Sequence, residues 1–378
     1  MTAARRIVLS AGGTGGHVFP AQALAAELKA RGIDLMLITD RRGLGYEERF
    51  PDMEIMTVRA GTPTGRGPFG QIAALSEIAA GTLSACVALR RNRPALVVGF
   101  GGYPSLPAML AASRLGIPTL LHEQNAVLGR VNRLLARRVS ALATSFPDTQ
   151  GIGTADRAKV TVTGNPVRAG IAAIRDVPYT QPAADGPIRI LVLGGSQGAR
   201  IFSDVVPDAL LALPAEIRAR LRVTQQCRPE DLERVRARYA DGGIGADLAP
   251  FIEDVPALLA SAHLCITRAG ASTVAELSCA GRPSLLVPYM HATDDHQTAN
   301  ARPLVEAGGA WLLPQAKLTP AILAESLSAL LQDPHTLARA AAAAREVGRP
   351  RAVQDLADLA EKLAEGGAVA ANDGRAAA

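Results

Sequence analysis

The chain has 378 residues, 48% hydrophobic and 20% charged, enough to fill two ordinary cores and too apolar for a disordered chain. One Trp, five Tyr and seven Phe are too few for the stacking platforms that grip single-stranded nucleic acid, so no nucleic-acid partner is expected. The net charge of +5 is uneven: residues 1–170 carry 20 Lys/Arg against 11 Asp/Glu, and the remainder 20 against 24. A basic first half fits an anionic partner, beside the plainer reading of an Arg-rich solvated surface.

An apolar run, Ile7 to Ala11, breaks into Gly12-Gly13-Thr14-Gly15-Gly16-His17. Bare backbone approaches an anion closely, and a helix opening there aims its free N–H groups at it. A helix is expected from Pro20 to Lys29, with proline at its start. His17, beside the loop's anion, suits either a base or a helix cap. Strands are expected at Asp34–Thr39 and Ile55–Val58. An apolar, low-charge stretch then runs from Arg66 to Arg93, in which Phe69, Ile72, Leu75 and Ile78 recur every third residue. Such a stripe winds around a helix. Its bland reading is a core-facing helix. Its sharper reading is a helix end in a bilayer interface, with Arg66, Arg90, Arg91 and Arg93 meeting anionic lipid. No uncharged apolar run reaches the roughly 18 residues of a membrane span.

A strand at Ala95–Val98 ends in a third glycine turn, Gly101-Gly102-Tyr103-Pro104-Ser105, with a helix expected over Pro107–Leu115. A strand at Pro118–Leu121 ends in His122-Glu123-Gln124-Asn125. Glu123 could serve as a base there, and Asn125 as a ligand for a sugar hydroxyl or as a helix cap. Arg130–Arg138 reads as a basic helix. Asp176–Pro187, rich in Pro, Ala and Asp, reads as a linker after Gly164-Asn165-Pro166-Val167-Arg168. Alternating strands and helices of this kind make a parallel sheet covered on both faces.

The second half restarts with Ile188–Leu193 and a second glycine turn, Gly194-Gly195-Ser196-Gln197-Gly198-Ala199. Strands are expected at Leu221–Gln225, His263–Thr267 and Pro283–Pro288, with a helix at Thr273–Ala280. The turn from Arg268 to Thr273 is small-residued and suited to phosphate, and Glu276 lies one turn into its helix. His291 to Gln297 holds His and Asp without a regular ligand spacing, so a hydrogen-bonding loop is favoured over a metal site. Leu337–Glu365 is helical in composition with a break at Pro350. A frayed Ala/Gly-rich tail is expected over 366–378. Cys86, Cys227, Cys265 and Cys279 form no Cys-x-x-Cys pair and read as structural thiols of a reducing compartment. The first strand begins within a few residues of Met1, leaving no room for a signal peptide. There is no G-x-x-x-x-G-K-[ST], and neither glycine turn is a proper G-x-G-x-x-G, which disfavours P-loop and dehydrogenase chemistry.

Taken in order, Gly12–His17, Gly101–Ser105, His122–Asn125, Gly164–Arg168, Gly194–Ala199, Arg268–Glu276 and Asp294–Asn300 resemble the MurG family of bacterial N-acetylglucosaminyltransferases, from about residue 5 to about residue 363. The resemblance implies an α/β fold of GT-B type: two doubly wound Rossmann-like domains facing a central cleft. It implies an acceptor and membrane-side domain at 1–167, a UDP-GlcNAc-binding domain at 168–345, and a helix at 346–365 packing back on the first. The implied reaction moves N-acetylglucosamine from UDP-GlcNAc to the C4 hydroxyl of the muramyl sugar of lipid I, with inversion, giving lipid II for peptidoglycan. Implied substrate contacts are Thr14, Gly15, Gly16, Asn125, Arg168, Ser196, Ile252 (to uracil through its backbone), Ala271, Ser272, Thr273, Glu276 and Gln297. His17 is the first choice of base, with Glu123 and Tyr103 as helpers. No essential bound metal or cofactor is implied. The implied location is peripheral, on the cytoplasmic face of the inner membrane, near an anionic membrane surface and other cell-wall synthesis proteins. Two rivals are a UDP-N-acetylglucosamine 2-epimerase and a membrane-associated scaffold that binds nucleotide sugar without turning it over.

Overall fold

The structure is a computed structural model and describes residues 6–41, 43, 48–65, 67–195 and 198–366. Ser196 and Arg66, both singled out in the sequence, lie outside the described residues, as do 367–378 of the tail. Contacts divide the chain into two units: one runs to Val167 and resumes at Arg351, and the other is Arg168–Pro350.

The first unit holds a seven-stranded, wholly parallel sheet in the order β3-β2-β1-β4-β5-β6-β7. Its strands are β1 Arg6–Ser10, β2 Asp34–Thr39, β3 Glu54–Thr57, β4 Leu96–Gly99, β5 Thr119–Glu123, β6 Ala141–Thr144 and β7 Val160–Val162. Order reverses between β1 and β4, which makes a switch point where the loops after both strands part and leave a crevice. One face of the sheet buries Ile7, Leu9, Leu96 and Val98 against α1 (Gly15–Ala30) and the helix Ala352–Ala364, which brings Leu356, Ala360 and Leu363. On the other face, α2 (Pro68–Asn92) and α3 (Gly102–Arg114) cover Val8, Met36 and Val97.

Both expected helix starts are displaced. Pro20 and Pro107 lie inside α1 and α3, each five residues past the first helical residue, because the helices open within the glycine turns themselves. His122 and Glu123, read as loop residues, are the last two residues of β5 and fully buried.

The apolar stretch between Arg66 and Arg93 is one helix of 25 residues, α2, long and apolar enough to cross a bilayer by length and composition alone. Its only acid, Glu77, does not interrupt it. One face of α2 buries Ala74, Ile78, Ala85 and Leu89 in the core. Phe69, Ile72, Leu75, Leu83 and Val87 are exposed, and at 100° per residue they share the opposite arc, about 120° wide. The winding stripe thus passes from solvent at Phe69 to core at Ile78.

The second unit holds a six-stranded parallel sheet in the order β10-β9-β8-β11-β12-β13. Its strands are β8 Ile188–Leu193, β9 Leu221–Gln226, β10 Gly245–Ala249, β11 Leu264–Thr267, β12 Ser284–Leu286 and β13 Ala310–Leu312. Ile188, Ile190 and Val192 pack with Phe202, Val206 and Leu210 of the helix Arg200–Leu211 and with Leu323 and Leu327 of Pro320–Gln332. The segment read as a linker, Asp176–Pro187, belongs to this unit and is tied down: Tyr179 donates to the His263 carbonyl at 2.9 Å and Arg282 to that of Val177 at 3.5 Å. The C-terminal helical stretch is broken where Pro350 stands, into Pro334–Val347 and Ala352–Ala364, and the unit boundary falls in that break. The four cysteines are free, with Cys227, Cys265 and Cys279 buried; burial pushes the Cys265 thiol up to about 12.

Candidate active site

In the first unit, polar groups gather at the C-terminal edge of the sheet, after β1, β4 and β5. The backbone turns sharply after β1: Gly13 has φ +84°, and a Cβ on Gly12 would come 2.9 Å from both Thr39 Oγ1 and Pro104 Cβ. Thr14 then caps α1, so Gly15 and Gly16 supply the first N–H groups of the helix, which have no intrahelical acceptor. His17 is one step further on. Its Nδ1 lies 2.9 Å from Gln124 Oε1, and its Nε2 sits beside Gly102, where a Cβ would approach to 3.3 Å. The third glycine turn therefore closes over the imidazole. Tyr103 shares a 2.9 Å hydrogen bond with Thr64, ahead of α2.

Glu123, expected as a helper base, is occupied otherwise. Its carboxylate accepts from the Asn125 and Gly129 backbone N–H groups at 2.9 and 2.8 Å, and from Asn125 Nδ2 and Asn132 Nδ2 at 3.3 and 2.9 Å. Four donors use the four lone-pair sites of a carboxylate, so this side chain staples the loop after β5 and leaves no site for a substrate proton. Asn125 is placed by that staple. His122 stands beneath, fully buried, with its ring nitrogens on the Gly164 carbonyl and Gln124 Nε2, both at 3.0 Å. Burial pushes its pKa down to about 4, opposed by the Gly164 hydrogen bond.

In the second unit, β8 runs into Gly194, where a Cβ would strike the Ala199 backbone nitrogen at 2.3 Å; only glycine permits that turn. Gln226 Oε1 accepts from Gly194 N–H at 3.0 Å, fixing the loop. After β11, Gly270 caps the helix Ala271–Ala280, and Ala271, Ser272 and Thr273 form its first turn. Three N–H groups point outward there, beside the buried Ser272 Oγ, which has no hydrogen-bond partner. Glu276 lies one turn on and is gripped by Arg168 in a bidentate pair of 2.8 and 3.0 Å. Ile252 is on the loop between β10 and the helix Val255–Ser261, close to its Asp254 cap. Gln297 Oε1 accepts from Tyr289 N–H at 2.9 Å. Consecutive left-handed residues, Asp294 and Asp295 (φ +53° and +48°), bend the chain just before it.

Arg268, named in the sequence only as part of a turn, is a structural anchor here. Buried, it stacks between the Phe202 and Tyr289 rings and donates to the Val287 and Pro288 carbonyls at 3.1 and 3.3 Å. It thereby holds the loop after β12 against the turn that opens the helix Ala271–Ala280. Burial pushes its pKa down to about 10. Among the described residues, no group of three or more His, Cys, Asp or Glu could hold a metal ion.

Two parallel sheets, each ending in a glycine turn and a helix N-terminus, define a glycosyltransferase of GT-B type when the family matches are added. Residues 7–144 match the glycosyltransferase family 28 N-terminal domain, and 189–361 the C-terminal domain of the same family. The chain belongs to glycosyltransferase family 28. It is 54% identical to the UDP-N-acetylglucosamine--N-acetylmuramyl-(pentapeptide) pyrophosphoryl-undecaprenol N-acetylglucosamine transferase of Rhodospirillum centenum, over 93% of each chain. Among solved structures it is similar to MurG of Acinetobacter baumannii, with TM-score 0.77, 33% identity and coverage of 95% of this chain and 99% of that one. A structure described as a UDP-N-acetylglucosamine 2-epimerase of Listeria monocytogenes shares the fold alone, at TM-score 0.68 and 15% identity over 97% and 99% of the two chains.

Proposed function

We propose that this chain transfers N-acetylglucosamine from UDP-N-acetylglucosamine to the C4 hydroxyl of undecaprenyl-pyrophosphoryl-N-acetylmuramyl-pentapeptide, with inversion, yielding the disaccharide lipid. The observation that carries this reading is the end-to-end match to a transferase of that name, at 54% identity. The second unit takes the donor. Its diphosphate meets the N–H groups of Ala271 to Thr273, the Gly194–Ala199 turn with Ser196, and the charge of Arg168. Glu276 accepts from the ribose hydroxyls with the lone pairs that Arg168 leaves, Ile252 meets uracil through its backbone, and Gln297 binds the sugar hydroxyls. The first unit supplies the base: His17 Nε2 takes the C4 proton as oxygen attacks the anomeric carbon and the UDP bond breaks. Thr14, Gly15, Gly16 and Asn125 line the same edge, and Tyr103 is an orienting group. Helix N-termini stabilise the leaving UDP; no protein-bound metal is assigned a role.

The lipid-linked acceptor calls for a membrane-side surface. The outward apolar face of α2 suits it, with Phe69 88% exposed at the helix end nearest Thr64 and Tyr103, and with Arg90, Arg91 and Arg93 for anionic headgroups. We assign the chain a peripheral place on the cytoplasmic face of the inner membrane, where other cell-wall synthesis proteins would be its neighbours. The test is transfer of labelled N-acetylglucosamine onto a lipid I analogue. Product carrying the label supports the reading; conversion of donor alone to its mannosamine epimer overturns it.

A further inference from the structure

Three hydrogen bonds run in series behind His17, and their directions are not free. The chain starts at the Gly164 carbonyl, which can only accept. His122 Nε2, 3.0 Å away, must therefore carry a hydrogen. His122 is fully buried and neither of its ring nitrogens meets a carboxylate, so its ring stays neutral, and Nδ1 is a bare acceptor. Gln124 must then turn its NH2 toward that nitrogen, at 3.0 Å. A second acceptor demands the same orientation: the His122 carbonyl lies 2.9 Å from Gln124 Nε2. Rotating the amide by half a turn would set its oxygen against two acceptors at once. The carboxamide oxygen is thus left facing His17 Nδ1, at 2.9 Å. An oxygen there requires hydrogen on Nδ1, which in a neutral imidazole leaves Nε2 bare.

We propose that Gln124, oriented by His122, is a positioning residue that locks His17 in the Nδ1–H tautomer and so aims an unprotonated Nε2 at the acceptor hydroxyl. The proposal rests on His17 being the base of the reaction. When C4–OH attacks, its proton passes to Nε2 and the oxygen's electron pair forms the bond to the anomeric carbon, while the UDP oxygen leaves with the old bonding pair. The imidazolium formed keeps its Nδ1–H on Gln124 Oε1, and that hydrogen bond strengthens as the ring becomes charged. Gln124 plays the part a carboxylate takes in a hydrolase triad, without adding a negative charge beside a diphosphate acceptor. Burial of Gln124, 1% exposed, keeps water from competing for the ring.

The test combines NMR of isotopically labelled histidine, in which protonated and bare ring nitrogens resonate far apart, with steady-state kinetics of His17→Ala and Gln124→Leu. Wild-type His17 should show hydrogen on Nδ1, and Gln124→Leu should move it toward Nε2. That variant should lose about 30-fold or more in kcat, with KM for UDP-N-acetylglucosamine and for the lipid I analogue within about threefold. Hydrogen on Nε2 in the wild type overturns the proposal, and that measurement needs no variant to fold. If His17→Ala is crippled but Gln124→Leu keeps its kcat, the positioning role is wrong and the base stands. If His17→Ala keeps full rate, the base assignment falls, and the proposal with it.

Discussion

Arg168 and Glu276 hold each other through two parallel hydrogen bonds, Nε to Oε1 at 2.8 Å and Nη2 to Oε2 at 3.0 Å, across 108 residues of sequence. The proposed function gives them separate tasks, phosphate for one and ribose for the other. The geometry makes them one device. Only a guanidinium presents two N–H groups at carboxylate spacing, and its remaining donors are left for an anion. Arg168→Lys should therefore raise KM for UDP-N-acetylglucosamine about tenfold with kcat much less affected. Crossing it with Glu276→Gln should give a coupling energy of about 1 kcal/mol or more. Strict additivity of the two changes would separate the residues again.

Gly102 has φ +71°, and a Cβ there would stand 3.3 Å from His17 Nε2. Gly102→Ala strains the backbone by about 1–2 kcal/mol and presses a methyl group on the nitrogen assigned to the proton. The expected result is a lower melting temperature together with a fall in kcat of about tenfold or more. A variant that melts earlier yet turns over at the wild-type rate would show that the turn is structural only.

Two histidines make the fold acid-sensitive. Burial pushes His122 and His263 from 6.5 down to about 4. His263 is also disfavoured as a cation by Arg189 and Arg220, and its Nδ1 accepts from Arg189 N–H at 3.0 Å. Between these values the unfolded chain takes up protons that the folded chain refuses. Their contribution is fully present above about pH 6.5 and is lost as pH falls toward 4, about 2 kcal/mol for His122 at pH 5. Denaturant titrations at about pH 8 and pH 5 should show this loss, and His263→Asn should flatten it. Equal stability at the two values would contradict it.

Phe69, Leu83 and Val87 are 88, 70 and 68% exposed on the outer face of α2. Replacing all three by serine removes apolar surface without touching the core, so melting should shift little. Sedimentation with vesicles containing anionic lipid should fall severalfold, while transfer to a short-chain, water-soluble acceptor should persist. Undiminished vesicle binding would send the search for the membrane surface elsewhere.

Much of this was legible in order and spacing. The glycine turns, the strands before them and the restart at Ile188 stand where the apolar runs place them. The starts of α1 and α3 were not, because proline is read as a first residue, whereas here the helices open in the glycine turns and Pro20 and Pro107 give up single hydrogen bonds one turn in. Short strands such as Val160–Val162 and Ala310–Leu312 carry too few residues for any alternation to register. Glu123 could be seen at a strand end, but not that four donors converge on it. Nor could Gln124 be ranked above its neighbours: its importance lies in which way its amide faces, and that is set by Gly164, 40 positions away in the chain.

The helix Ala352–Ala364 packs on α1 through Leu356, Leu359 and Leu363, and Arg31 reaches from the end of α1 to Asp358 and Glu361 at 2.6 and 3.1 Å. The unit that is begun first is therefore the last to be finished. On the ribosome, everything from Arg168 to Pro350 emerges while one face of β1 and β4 still waits for its cover, so the nascent first unit exposes Leu9, Leu24 and Val98 until the final turns of helix arrive. The second unit can close on its own schedule, whereas a chain stopped at Pro350 would leave the first without its last helix.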